Sequence, residues 1–248
     1  MSRIVLSTSL LALPLLACGG AEESTAIDLE VVTAALPATP IVTDLGYTVE
    51  LTRVQLGATG IEFTIGGETH DGTVLGGPAP PHPGHAAGGE VTGELPGDFV
   101  LTFDDAPHAL GTGTLLTGSY EGANLTLRQV AATELAGGDP LAGHTAHLIG
   151  TATRDAETIA FDALLDVDAG TQVVGAVFQH DLDGQTTGTI ELELLPVDPF
   201  EADTAFDGIE FADLALTDDV ALVRPGDDAH NRMRRALATH DHWAAVLR

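Results

Sequence analysis

The sequence predicts an all-β, mainly antiparallel fold: a β-sandwich of about ten strands with a short C-terminal helix. Three observations predict it. Apolar residues recur at every second position through the middle of the chain. Glycine- and proline-rich turns separate those runs at short intervals. Helical spacing of apolar residues is confined to the region just after Pro225-Gly226.

Taken in order, the first element is a leader. Arg3 precedes a thirteen-residue apolar run, Ile4 to Leu16, too short to span a bilayer but of signal-peptide length. The run ends in Leu15-Leu16-Ala17-Cys18, which resembles the lipobox of bacterial lipoproteins. That resemblance implies cleavage of residues 1–17 and lipidation of Cys18. Several acyl chains, at about 0.8 kcal/mol per buried methylene, make such an anchor durable. Residues 18–40 are expected to be the lipidated cysteine and a tether, and residues 41–248 a single β-sandwich domain. Gly19, rather than Asp, after the cysteine implies outer-membrane or surface placement under lipoprotein sorting.

The strands follow. Ile61, Phe63 and Ile65 alternate with polar residues, as do Phe99, Leu101 and Phe103, then Leu125 and Leu127. Ile159, Phe161, Ala163, Leu165 and Val167 interleave with Asp162, Asp166 and Asp168, and Ile190, Leu192 and Leu194 with Glu191 and Glu193. Acids on the outward positions suit a sheet with one wet face. Tyr47, Val49 and Leu51 are out of phase with Val54 and Leu56, which predicts a bulge near Thr52-Arg53. Turns are expected at Gly66-Gly67, Pro96-Gly97, Gly137-Gly138-Asp139-Pro140 and Asp183-Gly184. Residues 72–90 form a long Pro/Gly/His loop. A helix near 228–239, capped by Asp227 or Asp228, would bury Met233, Leu237 and His240.

Composition removes several functions. The chain of 248 residues carries 37 acids and 9 basic residues, for a net charge of −28, and its basic residues are all arginine. Such a surface has no means of displacing counterions from nucleic acid, nor of binding anionic lipid through basic patches. Membrane contact is therefore expected through the lipid anchor only. Five arginines (Arg224, Arg232, Arg234, Arg235 and Arg248) gather at the C-terminal end, consistent with a cationic helix docking on the acidic body of its own chain. Cys18 is the only cysteine, so the domain has no disulfide and no thiolate nucleophile. Gly118-Ser119-Tyr120-Glu121-Gly122 is not a nucleophile elbow, and no enzyme is predicted.

The histidines carry the remaining chemistry. His82 and His85 form H-P-G-H inside the loop, where a turn through Pro83-Gly84 can bring both imidazoles onto one ion, and His70 lies just before it. His240 and His242 share a face if the chain is extended there. With no thiol in the domain, imidazole plus carboxylate suits a divalent transition metal, Cu²⁺ or Zn²⁺. His144 and His147 lie three apart in a strand and point to opposite faces; His144, in phase with Ala146 and Leu148, reads as the core histidine, and His180 as structural. Asp181-Leu182-Asp183-Gly184 matches only part of a calcium loop.

The order of elements resembles the MbnP-like periplasmic proteins, a β-rich, copper-associated family. The resemblance runs through Tyr47–Leu56, a Gly118-Ser119-Tyr120 turn leading into Asn124-Leu125-Thr126-Leu127, then Ala146-His147-Leu148-Ile149-Gly150, Phe206-Asp207-Gly208-Ile209 and a C-terminal helix. It covers most of residues 46–240 and implies a copper-linked envelope role. In some of those proteins an oxidised tryptophan stands two residues before a copper-binding histidine. Here Trp243 directly follows His242, so that role is not carried over.

The resulting expectation is a lipid-anchored cell-envelope protein binding Cu or Zn through His82, His85, His70, His240 and His242. A surface or protein-interaction module without metal is the alternative, and a hydrolase the third. Replacing Cys18 with Ser is expected to move the mature protein from the detergent phase to the aqueous phase in a Triton X-114 partition. Unchanged detergent partition would show that the anchor lies elsewhere.

Overall fold

The computed structural model describes residues 24–65 and 89–248, with the backbone of four residue pairs between them (68–69, 73–74, 77–78 and 86–87). Cys18, Gly66-Gly67 and most of the 72–90 loop lie outside the described residues. The all-β expectation holds. Among the described residues a 13-stranded, mostly antiparallel sheet dominates, joined by one short α-helix.

In chain order, β1 (Ala26–Thr33), β2 (Ile41–Val42) and β3 (Thr48–Ile65) come first. Four two-residue strands, β4 (Glu68–Thr69), β5 (Thr73–Val74), β6 (Gly77–Pro78) and β7 (Ala86–Ala87), pair as β4 with β7 and β5 with β6. Next are β8 (Glu90–Phe103), β9 (His108–Leu116), β10 (Gly118–Leu127), β11 (Ala146–Arg154), β12 (Glu157–Leu165), β13 (Gln172–Leu182) and β14 (Thr189–Leu194). The short β15 (Leu216–Thr217) and β16 (Val220–Val223), helix α1 (Asp228–Leu237) and β17 (Trp243–Leu247) complete the series.

The strand path runs β10-β13-β17-β14-β1-β9-β8-β3-β11-β12-β16-β15, with β2 beside β3. Because β3 also pairs with β10, the path returns on itself, and the apolar faces enclose one sandwich-like core. Three pairs are parallel (β1–β14, β12–β16 and β13–β17), and the remaining ladders are antiparallel. Among the described residues no helix is long and apolar enough to cross a membrane.

Local sequence explains most of these elements. Phe161, Ala163, Leu165 and Val167 are buried while Asp162 and Asp166 sit half-exposed on the other face. Burying each large side chain of this kind is worth about 1.5–3 kcal/mol. In β3, Leu51 pairs with Gly150 and Arg53 with Ile149, leaving Thr52 as the extra residue: the bulge expected from the phase change. Helix α1 begins at the expected position and ends at Leu237, burying Ala229, His230, Met233 and Leu237. Asp227 occupies the cap position, but its carboxylate accepts the Arg224 N–H at 2.8 Å instead of capping the first turn.

Several expectations are corrected. The segment assigned to a tether, 18–40, contains β1, which lies between β14 and β9 with Leu29 and Val31 buried. Alternation of Ile27, Leu29 and Val31 with Asp28 and Glu30 is the cause. Pro96-Gly97 is not a turn but a bulge inside β8. It faces Gly60 of β3, where the register skips from Thr59–Asp98 to Ile61–Leu95. Gly118–Tyr120 likewise starts β10 rather than forming a turn. The strand count exceeds ten mainly because of two-residue strands, β2 and β15, too short to leave a periodic signal.

Gly150, in β11, is required by close approach. A Cβ there would meet the Glu50 carbonyl and lie 2.8 Å from the Phe161 ring. Gly150→Ala is expected to cost about 1–3 kcal/mol through overpacking, roughly 2–4 °C per kcal/mol in a thermal melt of a domain this size. Gly137→Ala, with open space around its Cβ, should stay within about 0.5 kcal/mol of the parent. Equal melting temperatures for the two variants would contradict the packing described.

Candidate functional site

Where β14 ends, the alternating pattern gives way to Leu195-Pro196-Val197-Asp198-Pro199-Phe200-Glu201-Ala202-Asp203-Thr204. Val197 and Thr204 form an isolated antiparallel bridge that closes this segment into a tight loop. Inside it the Asp198 N–H donates to the Asp203 carbonyl at 2.9 Å and the Ala202 N–H to the Asp198 carbonyl at 3.0 Å. The Asp198 carboxylate accepts the Phe200 N–H at 2.6 Å. The turn thereby gathers Asp198, Glu201 and Asp203, whose carboxylate oxygens lie within 4.8 Å of one another. Two oxygens bound to one ion at about 2.4 Å cannot be farther apart than about 4.8 Å, so the spacing fits a single cation.

This loop forms one wall of a cleft of about 290 Å³. Arg232, Arg235 and Ala236 of α1, with Thr239, Asp241 and His242 beyond it, form the other. Asp207 also lines the cleft but is occupied. Its carboxylate accepts the Thr204 N–H (2.7 Å), the Thr204 hydroxyl (2.8 Å) and the Asp44 N–H (2.9 Å). Gly208, with φ +69°, follows, and Arg232 packs over it so closely that a Cβ would meet the guanidinium at 2.5 Å.

The electrostatics of the cleft are uneven. Asp198 is buried, whereas Glu201 and Asp203 open to solvent. Lost hydration raises the Asp203 carboxyl above the usual aspartate range; His242 pulls the other way, and Asp198 and Asp207 add to the rise. His242 is 5% exposed, and its Nδ1–H donates to the Leu195 carbonyl at 2.8 Å. That bond places the ring's lone pair on Nε2, the arrangement found where an imidazole serves as a metal ligand.

The expected ligands fall out as follows. His70, His82 and His85 lie outside the described residues. His240 and His242 are in a one-turn 3₁₀ segment rather than an extended strand. About 240° then separates them, so they do not share a face. His240 Nε2 lies 3.0 Å from the Asp241 carboxylate, while His242 alone of the pair is held by Leu195. Trp243 is fully buried, its indole N–H donating to the Leu237 carbonyl at 2.9 Å and its ring against Phe103. Its role is packing.

The other histidines support the fold. The core histidine is His147, not His144. His147 is 1% exposed on the face opposite Ala146 and Leu148, 3.1 Å from Asp162, which Arg224 approaches at 2.9 Å. His144 precedes β11 and pairs with Asp166 at 2.8 Å on a more open surface. Asp183 accepts the Gln185 N–H and the Thr186 hydroxyl, which hold its carboxyl below the usual range; the partial calcium motif is thus a capped turn.

Asp198, Glu201 and Asp203 were missed because carboxylates are so abundant that proximity in sequence carries little information. The usable signal was Asp-Pro followed by acids three and five positions after the aspartate, at the point where strand alternation stops. No family model, curated protein or solved structure matches this chain.

An ionised Asp203 opposes folding in the cation-free protein, because its folded-state carboxyl holds its proton more tightly than an unfolded one. Asp203→Asn is therefore expected to leave stability at pH 7 in EDTA unchanged or raised by up to about 0.5 kcal/mol, given screening at an open site. Urea unfolding checks this. A loss above about 1 kcal/mol would make Asp203 a structural group.

Proposed function

We propose that the protein is a lipid-anchored cell-envelope β-domain that binds a divalent cation in the cleft between the 198–207 segment and the C-terminal helix. The observation that carries this reading is the convergence of three carboxylates within single-ion distance, beside a buried imidazole whose Nδ1 is already committed to a carbonyl. The three carboxylates form an all-oxygen donor set, which suits a hard cation such as Ca²⁺ and is also used by Zn²⁺; His242 lines the same cleft but is not one of the groups within single-ion distance. Cu²⁺ binds nitrogen and oxygen donors more tightly than Zn²⁺ in general, and the resemblance to a copper-associated family favours testing it alongside. Support for the anchor is the order Arg3, apolar run, Ala17, Cys18.

A protein-binding surface is the second reading. Val197 and Phe200, both partly exposed, flank the same acidic loop and offer apolar contact at its rim.

Titration calorimetry of the mature protein with Ca²⁺, with Zn²⁺ and with Cu²⁺ tests the first reading. One site is expected, weakened at least about tenfold, or roughly 1.4 kcal/mol, in the Glu201→Gln/Asp203→Asn variant. Unchanged binding in that variant with loss in His82→Ala/His85→Ala would move the site to the loop. No binding by the parent protein would leave the interaction surface as the better account.

A further inference from the structure

The C-terminal segment, α1 through β17, is held to the body by the β17 ladders with β14 and β13, by burial of Met233, Leu237 and Trp243, and by two imidazoles that act as hydrogen-bond acceptors. On α1, His230 Nε2 accepts the backbone N–H of Asp166, just past β12, at 2.9 Å. On β13, His180 Nε2 accepts the backbone N–H of Leu247, in β17, at 3.1 Å. A ring nitrogen that accepts an N–H must keep its lone pair, so both rings are neutral while the segment is docked. A second proton on either ring places donor against donor and turns the fastening into a repulsion.

The surroundings reinforce this. His230 is 4% exposed, and its Nδ1 is buried without a hydrogen-bond partner. Burial lowers its pKa. Asn231, Asp166 and Asp227 favour the charged ring, while Arg234 opposes it. The Asp166 carboxylate is already engaged by His144. For His180, burial again lowers the pKa, and the Arg248 guanidinium adds to the effect. That ring lies tilted by 49° against Phe178, centroid to centroid 5.1 Å, and faces Tyr120 across the β10–β13 ladder. Arg248 is itself held by Glu191 and Glu193.

We propose that the C-terminal segment is an acid-released latch: protonation of His180 and His230 loosens α1 and β17 from the body and, with them, the wall of the cleft that carries Arg232, Arg235 and His242. The latch stands on its own geometry; its coupling to cation release rests on the cleft reading above. The sign follows from linkage. A histidine with a lowered folded-state pKa contributes stability that is present above its unfolded value of about 6.5 and is lost as pH falls through the folded value.

Trp243, the only tryptophan, lies at the start of β17 and is fully buried, so its emission reports the segment directly. In EDTA, a red shift of Trp243 emission is expected on acidification below about pH 6.5, ahead of the far-ultraviolet dichroism change that marks global unfolding. In His180→Gln/His230→Gln, which keeps a neutral acceptor at each position, the midpoint should fall by about one pH unit or more, a tenfold change in proton concentration. An unshifted midpoint, or a Trp243 change that coincides with global unfolding, overturns the latch. If the double variant does not fold at pH 7.5, proton NMR titration of the parent's histidines decides. Values for His180 and His230 at or above 6.5 overturn it, and lower values tracking the Trp243 change support it. A second arm loads Ca²⁺ or, if that does not bind, Zn²⁺ at neutral pH. Ion release with the same midpoint and the same shift supports the coupling, and release at an unshifted pH overturns the coupling alone. Absence of binding by both cations overturns the cleft reading and leaves the latch standing.

Discussion

Strand β3 is hydrogen-bonded along both edges, and the other elements are arranged around that constraint. Residues 54–65 pair with β8 on one edge. On the other, residues 48–56 pair with β11 and residues 58–65 with β10. One strand of 18 residues thus serves two neighbours in succession, and its irregularities mark the change. The bulge at Thr52 moves Val54 and Leu56 into the core with Val49, and the skip at Gly60 re-phases Ile61 and Phe63. Without these insertions half of the apolar side chains of β3 would face water.

The sheet that leaves β3 through β11 and β12 builds the surroundings of the cleft. Arg154, at the end of β11, grips Glu210 with two hydrogen bonds (2.9 and 2.7 Å) and lies 4.1 Å above the Tyr47 ring. Tyr47 also donates its hydroxyl to Glu210. This group ties β3 and β11 to the segment after Asp207, so the carboxylate-bearing loop has a fixed far end. Arg224, before α1, holds Asp162, and Arg248, after β17, holds Glu191 and Glu193, so arginines flanking the C-terminal segment pair with acids of the body. With 37 acids against 9 arginines, most carboxylates must rely on water. Asp198, Glu201 and Asp203 are distinguished by having been drawn together on one turn.

Legibility in the sequence follows the range of the interaction. Phe161, Ala163 and Leu165 announce a strand because each choice of face is local and repeats every two residues. The Thr52 bulge is visible for the same reason: a phase change in a periodic signal. The alternation in β1 is equally present, but the stretch follows the expected leader and so reads as tether. Pro96-Gly97 misled because the same residue types serve turns and bulges, and only the presence of β3 opposite separates them. The choice between His144 and His147 depended on what covers each face of β11. No strand periodicity carries that information.

By itself, the amino-acid sequence determined the all-β class, the buried faces of the main strands and the C-terminal helix. These follow from periodicity and turn chemistry, each readable within a short window. Tertiary structure alone decided that β3 joins two neighbours along one edge, that His147 is the buried histidine, and that the 198–207 loop faces α1 and His242 across a cleft. Those outcomes depend on contacts between residues far apart in the chain, where an abundant residue type such as aspartate gives no sign of which copies will meet. The physical reason is that proximity in space, unlike periodicity, is a property of the closed sheet and not of any segment of it.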